Sequence, residues 1–306
     1  MRNAFALEIT ALAQQDPRLV LLSGDIGNRL FDDLKQKAPE RFYNCGVAEA
    51  NMVSVAAGMA LSGLKPVVYT IATFCTIRCL EQIRLDACYQ NLPVVFVGAG
   101  AGLSYASLNA SHQALEDIAF FRLFPNMTVL CPADAFEARA ALRAALGCNG
   151  PVYIRLGKKG EPNVHKDVPA FTIGKAAVLR EGKDVCLIAT GTILHNTLKA
   201  AESLAKQGVA AEVVNMHTVK PLDTALLARA FSGHRLVVTV EEHAAAGGLG
   251  GAVAEWRAEQ SGAGARLIRL GTGDKFIYVA TEQEHARHQF GLDAEQIAAT
   301  VLGQLR

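Results

Sequence analysis

Residues 48–74 read AEANMVSVAAGMALSGLKPVVYTIATF. An Ala-rich stretch with helical spacing, residues 48–61, leads through a short polar turn into an apolar run at residues 67–71. Short apolar runs between amphipathic helices are typical of strands that helices bury on both faces of a parallel sheet. This stretch therefore predicts a helix that feeds a buried parallel strand, and it places the chain in the α/β class.

The same alternation extends in both directions along the chain. In the first half we predict strands at residues 19–22, 67–71, 94–98, 128–131 and 152–155. We predict helices there at residues 48–61, 76–89 and 135–146.

A polar segment with two prolines, residues 157–169, has no apolar period and predicts a linker. After it we predict strands at residues 185–189, 211–214, 236–240 and 266–270. Helices are predicted at residues 195–206, 222–231, 250–259 and 294–305. The sequence thus predicts two parallel-sheet domains, residues 1–160 and 172–306.

Composition excludes several classes of protein. The 306 residues are 51% hydrophobic and 19% charged, which suits buried cores and disfavours disorder. Thirty Lys and Arg against 29 Asp and Glu leave a net charge of +1, so we expect neither a nucleic-acid partner nor a membrane partner. No apolar run reaches the roughly 20 residues that span a bilayer, and the start is unlike a signal peptide, so we expect a cytoplasmic protein.

Cysteine usage predicts free thiols. The seven cysteines include no CxxC pair, and most lie in apolar surroundings. Cys75 and Cys79 are one helical turn apart without a His or carboxylate at ligand spacing, so we predict no metal ligands in this chain.

Glu49 stands out within YNCGVAEANM, residues 43–52. A carboxylate in the first turn of a helix is stabilised by the helix dipole, which explains it without any function. Its neighbours toward the C-terminus are small and apolar, however, and they predict a desolvated carboxyl. Such a group is suited to sharing a proton with a ligand nitrogen.

Two further stretches have polar or aromatic residues where strands should end. Phe74 lies at a predicted strand-to-helix junction, and ligand sites of parallel sheets form at the carboxyl ends of strands. The small-residue loop 102–113 leads to His112. A loop histidine is more often structural, although this location also suits acid–base work.

Taken in order, these stretches resemble a known family. GVAEANM, ATF, RCLEQIRLDACYQNLPV, GLSYASLNASHQALEDIA, PNMTVLCPAD and GPVYIRLG resemble the pyrimidine-binding domain of transketolases. The second half, from DVCLIATG through VEEH and GGLGGAVAE to FGLDAEQIA, resembles the transketolase C-terminal domain. These sequence motifs are most similar to those of split transketolases, whose two halves are separate subunits. Deoxyxylulose-phosphate synthases and 2-oxo acid dehydrogenase E1 β subunits have the same two-domain organisation.

The resemblance implies a thiamine diphosphate enzyme that transfers a two-carbon ketol unit between ketose and aldose sugars. The family holds the diphosphate and Mg²⁺ with a GDG…N motif on another domain, and residues 24–26 and 273–275 read GDI and GDK here. The resemblance therefore implies a separate N-terminal subunit and a heterotetramer of two copies of each chain.

It also implies roles for individual residues. Glu49 would hydrogen-bond N1′ of the aminopyrimidine and favour its imino tautomer, and Phe74 would stack on that ring. Arg78 would lie beside the cofactor or serve in packing. His112 would bind substrate oxygens and assist proton transfer. Lys158 and Leu108 would face the substrate.

Three positions depart from the family. Leu108 replaces an aspartate that contacts a sugar hydroxyl, Gly98 replaces a substrate-phosphate histidine, and Lys158 replaces an arginine. We therefore expect an unusual sugar or aldehyde substrate. Two alternatives stay open from the sequence: another thiamine diphosphate enzyme half that makes acyl groups from 2-oxo acids, and a non-catalytic scaffold.

Overall fold

The computed structural model describes residues 1–27 and 29–305, which form two β-sheets flanked by helices. The strands are β1 Leu19–Ser23, β2 Phe42–Asn44, β3 Lys65–Ile71, β4 Val95–Ala99, β5 Thr128–Leu130, β6 Val152–Leu156, β7 Ala177–Arg180, β8 Val185–Ala189, β9 Ala211–Asn215, β10 Thr218–Lys220, β11 Leu236–Ala244 and β12 Arg266–Thr272. The α-helices are α1 Arg2–Ala13, α2 Asp32–Lys37, α3 Glu49–Leu61, α4 Ala72–Thr76, α5 Leu80–Gln82, α6 Asp117–Leu123, α7 Ala135–Ala145, α8 Leu194–Ala205, α9 Thr224–Gly233, α10 Leu249–Ala258, α11 Gln283–Gln289 and α12 Ala294–Leu305.

The first sheet has seven strands in the order β10-β5-β6-β4-β3-β1-β2, and only its edge strand β10 runs antiparallel. Successive residues of β1 enter opposite cores: Leu19 and Leu21 join one buried cluster, and Val20 and Leu22 join another. Two-sided burial explains why this strand is continuously apolar. The second sheet has the order β12-β11-β8-β9-β7, with β7 antiparallel at its edge.

The α/β fold with two largely parallel sheets is confirmed, and every predicted strand is present. The sequence missed β2, β7 and β10, which have three or four residues each, because so short a run shows no period. Residues 157–176 form neither helix nor strand. The domain limits of residues 1–160 and 172–306 stay predictions.

One helix prediction was wrong. Residues 76–89 are not a continuous α-helix but a 3₁₀ turn, Ile77–Cys79, the short α5 and a π-helix, Ile83–Tyr89. The Thr76 hydroxyl donates to the carbonyls of Ala72 and Thr73, and such side-chain bonds compete with the regular helix ladder. This irregular segment follows α4, the short helix after β3, and contains Arg78 in its 3₁₀ turn.

A buried ion pair connects the two halves. The Arg155 guanidinium lies 2.8 Å from Asp117 and donates to the carbonyls of Ala114 and Glu242, both at 2.9 Å. Burial alone would raise the pKa of the Asp117 carboxyl, but the Arg155 charge outweighs it and the pKa lies below its ordinary value. Glu242 belongs to β11, so this one side chain joins both sheets. Within the described ranges no helix is long and apolar enough to span a membrane.

Arg155→Leu should therefore lower the free energy of unfolding by about 3–5 kcal/mol, because it leaves the Asp117 charge buried without its partner. Urea denaturation followed by circular dichroism measures this loss. The control is Arg18→Leu, which removes an exposed pair with Asp16 and should change stability much less. Equal losses from the two variants would contradict a structural role for the buried pair.

Candidate active site

The sequence-predicted site residues gather at the carboxyl edge of the first sheet. Gly24 follows β1, Glu49 follows β2, Phe74 follows β3, and the loop 100–112 follows β4. Lys158 follows β6. Ligands of open α/β sheets bind at this edge, where loops from neighbouring strands meet.

Glu49, Arg78 and Phe74 form the centre of this edge. Glu49 is the first residue of α3 and is only 5% exposed. Both of its carboxylate oxygens lie 3.2 Å from the same Arg78 guanidinium nitrogen, and the guanidinium carbon lies 3.9 Å from the centroid of the Phe74 ring. A flat, hydrogen-bond-donating cation thus stacks on Phe74 while it neutralises the buried carboxylate.

Space and an unused hydroxyl lie beside the carboxylate. The Thr70 Oγ1 is buried and has no hydrogen-bond partner among the described residues. An ideal Cβ at Gly24 would lie 3.2 Å from that oxygen and 3.7 Å from Glu49 Oε1. The small residue at position 24 therefore leaves room above a carboxylate and a hydroxyl, two groups that hydrogen-bond nitrogen heterocycles.

A cavity of about 430 Å³ opens in front of this centre. Thr73, Phe74, Arg78 and Ser111 line it from the first half of the chain, and Phe276 lines it from the second half. Both halves of the chain therefore shape the candidate site.

His112 also contacts Phe74. Its ring is 5.2 Å from Phe74 and 6.0 Å from Tyr105, centroid to centroid, both edge to face. Partial burial and the nearby Arg78 charge lower the pKa of His112 below its ordinary value of 6.5. The imidazole is therefore neutral near pH 7 and has a nitrogen free to accept a proton.

Leu108 and Lys158 lie farther out. Leu108 ends a 3₁₀ turn, Ala106–Leu108, and is 48% exposed. The next residue, Asn109, has a φ of 60°, a backbone conformation that glycine and asparagine tolerate best. The Lys158 ammonium lies 5.4 Å from the Tyr105 ring centroid. The structure thus brings Glu49, Phe74, Arg78 and His112 together, with Leu108 and Lys158 along the same loop edge.

The space at Gly98 is filled. An ideal Cβ there would lie 2.5 Å from the Tyr153 hydroxyl, which donates to Asp117 at 2.7 Å. A larger residue at position 98 would displace this buried pair. The packing of Tyr153 against Gly98 therefore leaves no room for the histidine that the family resemblance implies at this position.

Sequence reasoning missed Gln113, which is 1% exposed. Its side-chain amide donates to the Ile277 carbonyl at 3.2 Å and accepts from the Ile277 amide at 3.4 Å. This two-bond contact fixes the loop that contains His112 to the second half of the chain. A glutamine directly after a candidate histidine was the only available signal.

One group of potential metal ligands occurs among the described residues: Cys186, Glu212 and His234. The Arg229 guanidinium lies 2.8 Å from the Glu212 carboxylate, and the His234 nitrogens lie 3.0 Å from the Ala230 carbonyl and 3.3 Å from the Gly182 carbonyl. These protein partners account for the group without a metal ion.

Comparison with known protein families identifies both parts of the chain. Residues 1–162 match the transketolase pyrimidine binding domain, and residues 174–297 match the transketolase C-terminal domain. The chain belongs to the transketolase family. A solved split gene transketolase, described as an inactive beta4 tetramer, is 38% identical, with a TM-score of 0.91 over 99% of this chain and 97% of that one.

Two curated relatives bear on the type of transketolase-family protein. The 6-deoxy-6-sulfo-D-fructose transketolase subunit SqwH of Clostridium sp. (strain MSTE9) is 38% identical over 97% of this chain and 92% of its own length. The 1-deoxy-D-xylulose-5-phosphate synthase of Syntrophus aciditrophicus (strain SB) is also 38% identical, over 98% of this chain, but this chain covers only 46% of that enzyme. Both relatives match nearly all of this transketolase-family chain.

Replacing Arg78 by glutamine should raise the pKa of His112 toward 6.5, because it removes a nearby positive charge. NMR titration of the histidine ring signals in the chain alone measures the change. The exposed Arg84→Gln, on the same segment, is the matched control and should leave His112 unchanged. An unchanged pKa of His112 in Arg78→Gln would contradict the electrostatic coupling between the two side chains.

Proposed function

We propose that this chain is the C-terminal subunit of a thiamine diphosphate-dependent transketolase, which transfers a two-carbon ketol unit between ketose and aldose substrates. The observation that carries the proposal is the Arg78 guanidinium, which is stacked on Phe74 and paired with buried Glu49. A flat nitrogen-containing ring could make the same two contacts, stacking on Phe74 and hydrogen bonding to Glu49. The aminopyrimidine of the cofactor would take the place of the guanidinium.

The residues present fit the pyrimidine end of the cofactor. Glu49 would hold the ring through a hydrogen bond to N1′, Phe74 would stack on it, and Thr70 offers a hydroxyl without another partner. When bound, thiamine diphosphate supplies the stabilised carbanion that ketol transfer requires. The burial of Glu49 excludes water from the hydrogen bond that favours the imino form of the ring.

His112 would bind substrate oxygens and transfer protons. Its ring contacts Phe74 edge to face, and its lowered pKa keeps the ring neutral at pH 7. A neutral imidazole can accept a proton from a sugar hydroxyl and return it to a carbonyl oxygen. This chain therefore contributes acid–base and cofactor-activating groups to one centre.

The substrate would be a non-standard sugar or aldehyde. Leu108 cannot accept a hydroxyl hydrogen bond, and Tyr153 fills the space beside Gly98. Lys158 offers a positive charge for an anionic group, without the bidentate geometry of arginine. The name of the SqwH relative, which concerns a sulfonated sugar, supports the same substrate class.

A separate N-terminal subunit would hold the diphosphate and Mg²⁺. The sequence lacks the GDG motif that does so in the family, and Mg²⁺ commonly bridges carboxylate and phosphate oxygens. The solved relative described as an inactive tetramer of beta chains supports a requirement for such a partner. We propose a heterotetramer with two copies of each chain, and a cytoplasmic location stays a prediction.

One other activity has a specific observation in its favour. The 38% identity to the deoxyxylulose-phosphate synthase keeps acyl transfer from pyruvate as the second candidate. The assembled complex separates the two: ketol transfer without release of carbon dioxide from pyruvate supports the transketolase assignment.

In the assembled complex, Glu49→Gln should lower kcat by about 100-fold or more, because an amide cannot take and return the ring proton. Coupled assay of ketose cleavage measures kcat, and size-exclusion chromatography checks assembly. The exposed Glu81→Gln on α5 is the control and should retain activity. Full activity in an assembled Glu49→Gln complex would refute the assigned role.

The chain alone should bind thiamine diphosphate weakly, because it would supply only the pyrimidine half of the site. Isothermal titration calorimetry with Mg²⁺ present should show at least about 100-fold weaker binding than the complex does, a loss of roughly 3 kcal/mol. Equal affinity with and without the N-terminal subunit would contradict a divided site.

A further inference from the structure

Tyr105 is a buried side chain that the activity proposed above does not use. It is only 7% exposed, at the start of the 3₁₀ turn in the loop between β4 and His112. Its ring packs directly on the backbone of Gly100, where an ideal Cβ would lie 2.0 Å or less from two ring carbons. Gly100 also has a φ of 77°, so two independent constraints require glycine there and fix the ring.

Three positively charged or titratable side chains from different elements meet this ring. The Arg2 guanidinium, from α1, donates to the Tyr105 hydroxyl at 2.7 Å. The Lys158 ammonium, from the segment after β6, lies 5.4 Å from the ring centroid, and the His112 ring lies 6.0 Å away. The backbone amide of Arg2 donates to the Lys158 carbonyl at 3.4 Å, so the backbones of these two residues are also linked.

The charges at this ring are not neutralised by acids. Among the residues that the structure describes, neither Arg2 nor Lys158 forms an ion pair, and Arg2 Nε is buried without a hydrogen-bond partner. An aromatic face stabilises a nearby ammonium group without neutralising its charge. Lys158 therefore keeps its attraction for an anion while the ring limits where the ammonium group can lie.

We propose that Tyr105 is a positioning residue that sets the separation between His112 and the Lys158 ammonium, and so makes the site select substrates with an anionic end group. The proposal rests on the function proposed above, in which His112 binds the reacting part of the sugar. The ring centroid lies 6.0 Å from the His112 ring and 5.4 Å from the Lys158 ammonium, so one ring restrains both groups that a substrate would bridge.

The kinetic test uses the complex assembled with its N-terminal subunit and hydroxypyruvate as the ketol donor. The two acceptors are D-glyceraldehyde and D-glyceraldehyde 3-phosphate, which differ only in the anionic group. Tyr105→Leu should lower kcat/KM for the phosphorylated acceptor about tenfold more than kcat/KM for the neutral acceptor, because only the phosphorylated one reaches the Lys158 ammonium. Tyr105→Phe keeps the ring and should restore the ratio of the two kcat/KM values to within about threefold of the wild type.

A Tyr105→Leu complex that loses kcat/KM equally on both acceptors, or shows no change on either, would overturn the proposal. A wild-type complex without ketol transfer to either acceptor would count against the proposed ketol-transfer function, and the NMR measurement below then decides the role of Tyr105.

A second measurement needs no turnover. In the chain alone, NMR should show the pKa of His112 rising toward 6.5 in Tyr105→Leu, because the ring no longer shields the imidazole from water, and remaining low in Tyr105→Phe. An unchanged His112 titration in a folded Tyr105→Leu chain would show that the ring does not position it.

Discussion

The buried charge of Glu49 is the constraint on which the rest of the site depends. A carboxylate that is 5% exposed needs a partner, and the helix N-terminus supplies only part of one. Arg78 completes it, and Phe74 holds the guanidinium flat against the carboxylate. The irregular helix after β3 is what turns Arg78 back toward Glu49. Glu49, Arg78 and Phe74 together therefore form one small site for a flat ligand.

Parallel topology brings these residues together. Glu49, Phe74 and His112 follow three different strands, yet all three side chains lie at one edge of the sheet. Apolar runs and helical spacing predicted β3, β4 and the helix that begins near Glu49, because strands buried on both faces are continuously apolar. The short β2, which precedes Glu49, was missed. The order of the motifs then indicated the family. Most of the architecture and the candidate residues could thus be predicted.

Contacts between residues that are distant in sequence were not predicted. Gln113 bonds to Ile277, which is 164 positions away, and Arg155 bonds to the Glu242 carbonyl 87 positions away. No local pattern encodes such pairs. Residues 76–89 have a helical period, but the Thr76 hydroxyl bonds to the carbonyls of Ala72 and Thr73 in the preceding α4 and so competes with the backbone ladder there. The strands β7 and β10 depend on pairing with β9 and β5, and not on their own composition.

The most direct test of this account is a crystal structure of the chain assembled with its N-terminal subunit, thiamine diphosphate and Mg²⁺. The account predicts that the aminopyrimidine stacks on Phe74 with N1′ within hydrogen-bonding distance of the Glu49 carboxylate, and that the Arg78 guanidinium has left that place. A pyrimidine ring bound elsewhere, with Arg78 still paired to Glu49, would contradict it.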